Sequence, residues 1–405
     1  MKNIIYIIDS LSPYALKSLS KKFYNFENKK LTYFDKLINK SILIENVYGH
    51  GETYSTIFTA LTGKSIYKNN CDSWYLENSF KEFSDFGSIF KKKGFTNIYL
   101  RNASPNNNLQ NFYGRFLNAV SKDFDYKFLK KRSKNDTFSK YIERKKLNKL
   151  LSDKQKKFFI LIHDFTLHDS KGAYNGNTKK ILNVINKNLT KNFRDTLEKI
   201  NYNKKKDNLI VFSDHGLTIS PESKLYTQNV INKEKYDQMY KNIFLDEKIK
   251  MLFFVNSPRI NSKKIIKGNY LAKDLYLIIK NFFNSNQNLK KFSSFVKKKS
   301  KKVLITTIRS TRATIYENYF EKNNFHNHII YIKNNKKIIY SNKHEDKFIE
   351  QVEDKFLKIN KSKLDKNFKI WINNYFTLSN KTKKYLLFTK YKIIRLLIRL
   401  KLYSS

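Results

Sequence analysis

Four short apolar runs in this chain end in residues able to do chemistry. Asp9 follows NIIYII; Gly49-His50-Gly51-Glu52-Thr53 follows SILIENVY; His163, Asp164 and His168 follow KFFILI; Ser213-Asp214-His215-Gly216 follows NLIVF. Singly each says little, because an Asp or Ser after a strand ordinarily caps the next helix. Gathered at one edge they change meaning. Two carboxylates, an imidazole and a hydroxyl make an oxygen-rich donor set with one nitrogen, suited to Zn²⁺, Mn²⁺, Mg²⁺ or Ca²⁺ and unsuited to softer ions. The one cysteine, Cys71, excludes an intrachain disulfide and a cysteine-based zinc or iron–sulfur site.

Such a gathering needs a parallel sheet, whose ligands collect where the strands end at their carboxyl edge. Apolar runs alternating with helical patterns predict that architecture, a mostly parallel sheet with helices on both faces. The expected core strands are Asn3 to Ile8, Ser41 to Val47, Thr96 to Leu100, Lys157 to Ile162, Asn208 to Phe212 and Lys250 to Val255. Between them, Lys179 to Ile200 places Ile181, Ile185, Leu189, Phe193 and Leu197 at four-residue intervals, a helix with one buried stripe. After about residue 290 the pattern turns antiparallel: Val303 to Thr307, Ala313 to Tyr319, then a hairpin of His328 to Ile332 and Lys337 to Ser341 joined by Asn334-Asn335. The expected organisation is a catalytic domain over 1–290, a small antiparallel unit over 300–360 and a basic helical tail over 365–405, with the Lys-rich stretch Lys290 to Lys302 as the connection.

In order and spacing these pieces resemble the alkaline phosphatase superfamily, in its sulfatase-like and phosphoryl-transferring branches. NIIYIIDSLSPYAL is similar to the opening strand with its metal-binding Asp, TYSTIFTALTGKSIY to the nucleophile helix with its Leu-Thr-Gly turn, FFILIHDFTLHDS to the central strand with two histidines, and NLIVFSDHG to the Ser-Asp-His-Gly strand end. FLDEKIKMLFFVNSP and YLAKDLYLIIKNFF follow in the family's order, so the resemblance covers about residues 1–285. It implies an alkaline phosphatase-like α/β fold, followed here by the smaller antiparallel unit and a C-terminal helix.

Counting back from Gly63, the resemblance puts the nucleophile at Thr53. A sulfatase carries there a cysteine or serine, followed by Pro and Arg, for conversion to formylglycine; Thr53-Tyr54-Ser55-Thr56-Ile57 offers none of these. Thr53 looks instead like the threonine of nucleotide pyrophosphatases, phosphoethanolamine transferases and lipoteichoic acid synthases. The implied chemistry is a divalent ion held by Asp9, Thr53, Asp214 and His215, attack by the Thr53 hydroxyl on phosphorus, and a phosphothreonine released by water or an acceptor hydroxyl. His168 would donate a proton or touch substrate. Asp164 and His168 have the Asp-x-x-x-His spacing of a second metal, for which His326 or His328 would have to supply a third ligand; one ion is expected rather than two. His163 is expected to orient its neighbours, His50 to touch substrate or shape its turn, and Arg101 to stand solvated after its strand, with binding of the substrate's anion as its functional alternative.

At 405 residues and 40% hydrophobic the chain can bury a substantial core, and 10 Gly and 4 Pro exclude collagen-like and linker-like architectures. The formal charge of +47 would draw nucleic acid, anionic lipid or phosphorylated substrates, but Lys and Asn are spread along the whole chain with Ile, Phe and Tyr, so charge alone selects no partner. The opening apolar run spans only Ile4 to Ile8, far short of the roughly 20 residues of a spanning helix, and the expected location is cytoplasmic. In the tail Lys381 to Tyr403, Lys392, Arg395 and Arg399 share one helical face and Leu387, Tyr391, Ile394 and Ile398 another. That pattern fits a basic amphipathic helix on an anionic bilayer, peripheral on its inner face. The expected substrate is a phosphorylated or sulfated small molecule, glycan or lipid-linked group, and nucleic acid is not the expected partner. The competing readings are a sulfate-ester hydrolase and an inactive homologue that binds anionic membrane or nucleic acid.

Overall fold

The computed structural model describes residues 1–16, 33–51, 53–64, 85–103, 120, 122–131, 144–169, 184–216, 249–284, 289–301, 303–309, 327–333, 336–341, 348–352, 355–359, 366 and 369. The first half holds β1 (Lys2–Ile8), α1 (Tyr33–Ile38), β2 (Ile42–Ile44), β3 (Val47–Tyr48), α2 (Thr53–Thr62), α3 (Asp85–Lys92), β4 (Phe95–Ala103), β5 (Tyr126–Lys131), α4 (Arg144–Leu151), β6 (Lys157–Asp164) and α5 (Thr166–Asp169). A π-helical turn, Val184–Leu189, then runs into α6 (Thr190–Lys199), followed by β7 (Asn208–Ser213), β8 (Lys250–Met251), β9 (Phe253–Asn256), β10 (Lys264–Ile266), β11 (Tyr270–Leu271), α7 (Ala272–Asn284) and α8 (Leu289–Lys299). The last strands are β12 (Val303–Arg309), β13 (Asn327–Lys333), β14 (Lys336–Ser341), β15 (Phe348–Val352) and β16 (Lys355–Ile359).

Eight strands form one sheet in the order β10-β2-β9-β7-β1-β6-β4-β5. β1 lies at its centre, parallel to both β6 and β7, and its residues Asn3 to Ile8 are all buried. A strand covered on both faces must be apolar on both, which is why NIIYII is a continuous run without alternation. β9 alone breaks the parallel order, pairing antiparallel with β2 and β7. A second sheet, β11-β3-β8, is small and mixed, and the five C-terminal strands make an antiparallel meander, β12 to β16 in sequence order.

Strand alternation sorts the side chains into two cores. Ile5, Ile7, Tyr99, Phe159, Leu161, Ile210 and Phe212 face one side with Ile57, Phe58 and Leu61 of α2 and Leu275, Ile278 and Phe282 of α7. Ile4, Tyr6, Ile8, Ile98, Leu100, Ile160, Ile162, Leu209 and Val211 face the other with Ile185, Leu189, Phe193 and Leu197. Phe90 stacks on Phe159 with ring centroids 4.3 Å apart on the first side, and Phe34 on Phe193 at 4.2 Å on the second. Each such buried aromatic contributes about 1.5–3 kcal/mol of transfer free energy.

Several expected elements differ from what forms. The strand expected over Ser41 to Val47 is two strands in different sheets, because Asn46 takes the left-handed conformation (φ 52°) and turns the chain. Lys250 to Val255 likewise splits at Leu252, whose N–H donates to Ser213 Oγ at 2.8 Å while its carbonyl accepts from Ser213 N–H at 3.0 Å. The helix expected over Lys179 to Ile200 begins among the described residues as a π turn, where the Thr190 hydroxyl donates to the Ile185 carbonyl at 2.9 Å. Its stripe is buried as the spacing requires, at Ile185, Leu189, Phe193 and Leu197. The expected hairpin pairs in register, Lys333 opposite Lys336. The strand Ala313 to Tyr319, residue Ile181 and the basic tail Lys381 to Tyr403 lie outside the described residues. Among the described residues no helix is long and apolar enough to cross a membrane.

Candidate functional site

The carboxyl ends of β6, β1 and β7 lie side by side, and each delivers polar residues there. Asp9 follows β1, with its N–H bonded to the Asp164 carbonyl at 2.9 Å. Ser10 then adopts φ 67°, unusual for a residue with a side chain. That turn aims the Ser10 N–H at Asp214 Oδ1 (2.9 Å) and its hydroxyl at Asp9 Oδ1 (2.6 Å), so one residue braces both carboxylates.

Thr53 comes from the loop after β3 and opens α2. Gly49 in that loop has no room for a side chain: a Cβ would stand 2.8 Å from the Asp214 carbonyl oxygen and 2.9 Å from Thr56 Oγ1. The close approach brings the start of α2 against the end of β7, and the His50 N–H caps Thr56 Oγ1 at 2.9 Å. Thr53 Oγ1 donates to Asp9 Oδ2 at 3.2 Å and lies 3.3 Å from His215 Nε2. His215 Nδ1 faces the Gly216 carbonyl at 3.0 Å; a carbonyl only accepts, which assigns a proton to Nδ1 and makes Nε2 the ring nitrogen that faces the cluster.

Asp9, Asp214 and His215 offer ligand atoms that all lie within 4.8 Å of one another, and the three residues are buried. Asp214 Oδ1 accepts the N–H groups of Ser10 and His215, whereas its Oδ2 is buried with no hydrogen bond among the described residues, 3.6 Å from His215 Nε2. Burial, and then the charge of Asp9, push the Asp214 carboxyl well above the usual carboxylate range. Two carboxylates this close and this dry are compatible with full ionisation only beside a cation. A buried carboxylate oxygen, a second carboxylate, an imidazole nitrogen and a hydroxyl fit a hard or borderline divalent ion.

No protein-family model matches the sequence, and no curated protein does. Among solved structures, a candidate sulfatase from Bacteroides thetaiotaomicron superposes with a TM-score of 0.60 at 13% identity, covering 96% of this chain and 92% of that one. A 2-O glycosaminoglycan sulfatase gives 0.59 at 12% identity over 96% and 92% of the two chains. An alkaline phosphatase superfamily protein from Vibrio parahaemolyticus gives 0.53 at 11% identity over 91% and 83%. The chain has the same fold as these sulfatase and alkaline phosphatase superfamily structures.

Within this alkaline phosphatase-like fold the structure brings Asp9, Thr53, Asp214 and His215 together. Arg101 and His163 lie in register at the ends of β4 and β6, on the strand positions that alternate with Leu100 and Ile162. Both are buried, Arg101 against the expectation of a solvated side chain, and both border Phe165: the guanidinium carbon lies 5.5 Å from its ring centre and the imidazole ring 4.1 Å. Asp164 is turned away, its carboxylate held by Tyr6, Asn192 and the Thr166 N–H. His168 belongs to α5, but its side chain lies outside the described residues. His328 is in β13 of the C-terminal sheet and His326 lies outside the described residues. Sequence reasoning missed Ser10; the only signal was its place between a strand-ending Asp and the next polar turn.

Proposed function

We propose that the protein is a metal-dependent phosphoryl-transfer enzyme in which Thr53 attacks a phosphoester or phosphodiester. The observation that carries this reading is the Thr53 hydroxyl at the start of a helix, 3.2 Å from Asp9 and 3.3 Å from His215. Asp9, Asp214 and His215 would hold a divalent ion, with the Thr53 oxygen beside it; when bound, the ion lowers the pKa of the hydroxyl and screens the phosphoryl charge. Thr53 releases its proton toward the Asp9 carboxylate that its hydroxyl already faces, its Oγ1 forms a bond to phosphorus, and the bond to the leaving oxygen breaks in line. The first-turn N–H groups of α2 face the anionic group that results. Arg101 supplies positive charge at the end of β4, suited to an anionic substrate. His168 is assigned to protonating the leaving oxygen. Water or an acceptor hydroxyl then takes the phosphoryl group from Thr53.

The substrate class is a phosphorylated small molecule, glycan or lipid-linked group. A second reading, sulfate-ester hydrolysis, draws support from the sulfatases among the structural neighbours. It is opposed by Thr53, which cannot become formylglycine. Turnover of an aryl phosphodiester and an aryl sulfate by purified protein separates the two. The proposal expects phosphodiester turnover that a chelator stops, that Mn²⁺ or Zn²⁺ restores, and that Thr53→Ala lowers by a factor on the order of 10⁴ or more. Turnover of the sulfate alone would sink it.

A further inference from the structure

Asp164 stands one residue beyond His163, and in a strand that places it on the opposite face of the sheet. On β6, Phe159 and Leu161 belong to the core under α2, whereas Phe158, Ile160 and Ile162 belong to the core under α6. The side-chain contacts of Asp164 follow the second set. Its Oδ2 accepts from the Tyr6 hydroxyl at 2.7 Å and from Asn192 Nδ2 at 3.0 Å, and its Oδ1 accepts the Thr166 N–H at 2.9 Å. Asn192 Nδ2 also reaches Thr166 Oγ1 at 2.8 Å. Asp164, Tyr6, Asn192 and Thr166 are all buried. Burial, and then the charge of Asp164, push the Tyr6 hydroxyl well above its ordinary value, so Tyr6 remains a donor. The three donors come from β1, α6 and α5, and the main-chain carbonyl of Asp164 holds the Asp9 N–H at 2.9 Å.

We propose that Asp164 is a positioning residue for Asp9, acting from the far face of the sheet, and not a ligand of a second ion. Its carboxylate locks the end of β6 to β1, α5 and α6, and its carbonyl fixes the backbone from which the Asp9 carboxylate reaches Thr53. The Asp-x-x-x-His spacing of Asp164 and His168 suggests a second metal on sequence alone. Three hydrogen bonds to fold-forming donors, on the face away from Asp9 and Asp214, give that carboxylate other work. Where a carboxylate in this fold served a second ion, these donors would compete with it. The inference rests on the metal-binding reading of the Asp9, Asp214 and His215 cluster.

The test is equilibrium dialysis of the full chain against Mn²⁺ alone, with bound metal counted per folded protein, for the wild type, Asp164→Asn and Tyr6→Phe. The proposal expects the same metal count in all three. Asp164→Asn turns an amide toward three donors and should weaken the Kd about 10–100-fold, as loss of a group that orients a ligand does. Tyr6→Phe removes one donor without changing shape and should weaken it several-fold, in protein whose circular dichroism is native. Should Asp164→Asn fail to fold, Tyr6→Phe carries the affinity test. Two ions in the wild type, falling to one in Asp164→Asn, would make Asp164 a ligand and overturn the proposal while leaving the proposed function standing. An unchanged Kd in both folded variants would overturn it too, since a brace that serves stability alone does not alter affinity measured well below the melting temperature. No ion in the wild type would remove this inference together with the metal-binding reading beneath it.

Discussion

Asp214 is the residue at which the electrostatics of the site can be read most simply. One of its oxygens is fully engaged and the other is buried with no hydrogen bond among the described residues, and its folded pKa is raised by burial and by Asp9. A raised folded pKa means that, in metal-free protein, this group's stabilising contribution is complete below the unfolded carboxylate value of 3.8 and is lost as pH rises through the folded value. A bound cation reverses the sense, because it displaces the retained proton and becomes more strongly held as that proton leaves. Thermal unfolding with chelator and with saturating Mn²⁺, at pH 5 and pH 8, should therefore show a larger metal-induced rise in Tm at pH 8. An equal rise at both values would mean that Asp214 does not titrate with metal binding.

At the scale of elements, the site depends on how tightly the loop before α2 can press on the end of β7. Gly49→Ala inserts a methyl group 2.8 Å from a backbone oxygen and 2.9–3.0 Å from Thr56, so the loop must retreat. Overpacking of this kind costs about 1–3 kcal/mol. The expected result is a lower Tm together with a loss of turnover larger than the stability change explains, since Thr53 moves with the loop; turnover equal to wild type would show that the approach is not needed. The long strands and their polar ends were legible in the sequence because a strand buried on both faces writes itself as an apolar run, and because Asp9, His163 and Asp214 punctuate those runs. Short pieces were not. β10 and β11 have three and two residues, too few to show a period, and β5 reads YKFLKK, an edge strand whose lysines obscure its pattern. β15 and β16, FIEQV and KFLKI, are five residues each and too short for a period to stand out from their surroundings. The hydrogen bonds that hold Asp164 were not legible either, because motif spacing counts residues along the chain, whereas the alternation of β6 decides which face each one occupies. Ser10 was invisible because its function comes from a positive φ, which no side-chain pattern announces.

For the whole molecule, a central β1 flanked by β6 and β7 puts three strand ends together, and the two cores on either face fix the sheet that carries them. The full chain carries a net charge of +47, while the described cluster holds two buried carboxylates, Asp9 and Asp214. Under the proposed function that contrast would suit an anionic substrate received at a cation held by the two carboxylates. The central claim is that Thr53 becomes covalently phosphorylated, and intact-protein mass spectrometry after rapid mixing with an activated aryl phosphodiester and Mn²⁺ reads it directly. The account predicts a transient gain of one esterified phosphoryl group, mapped by peptide sequencing to Thr53, retained in Thr53→Ser and absent in Thr53→Ala. Full phosphodiester turnover by Thr53→Ala, or a phosphoryl group mapped to any other residue, would contradict it.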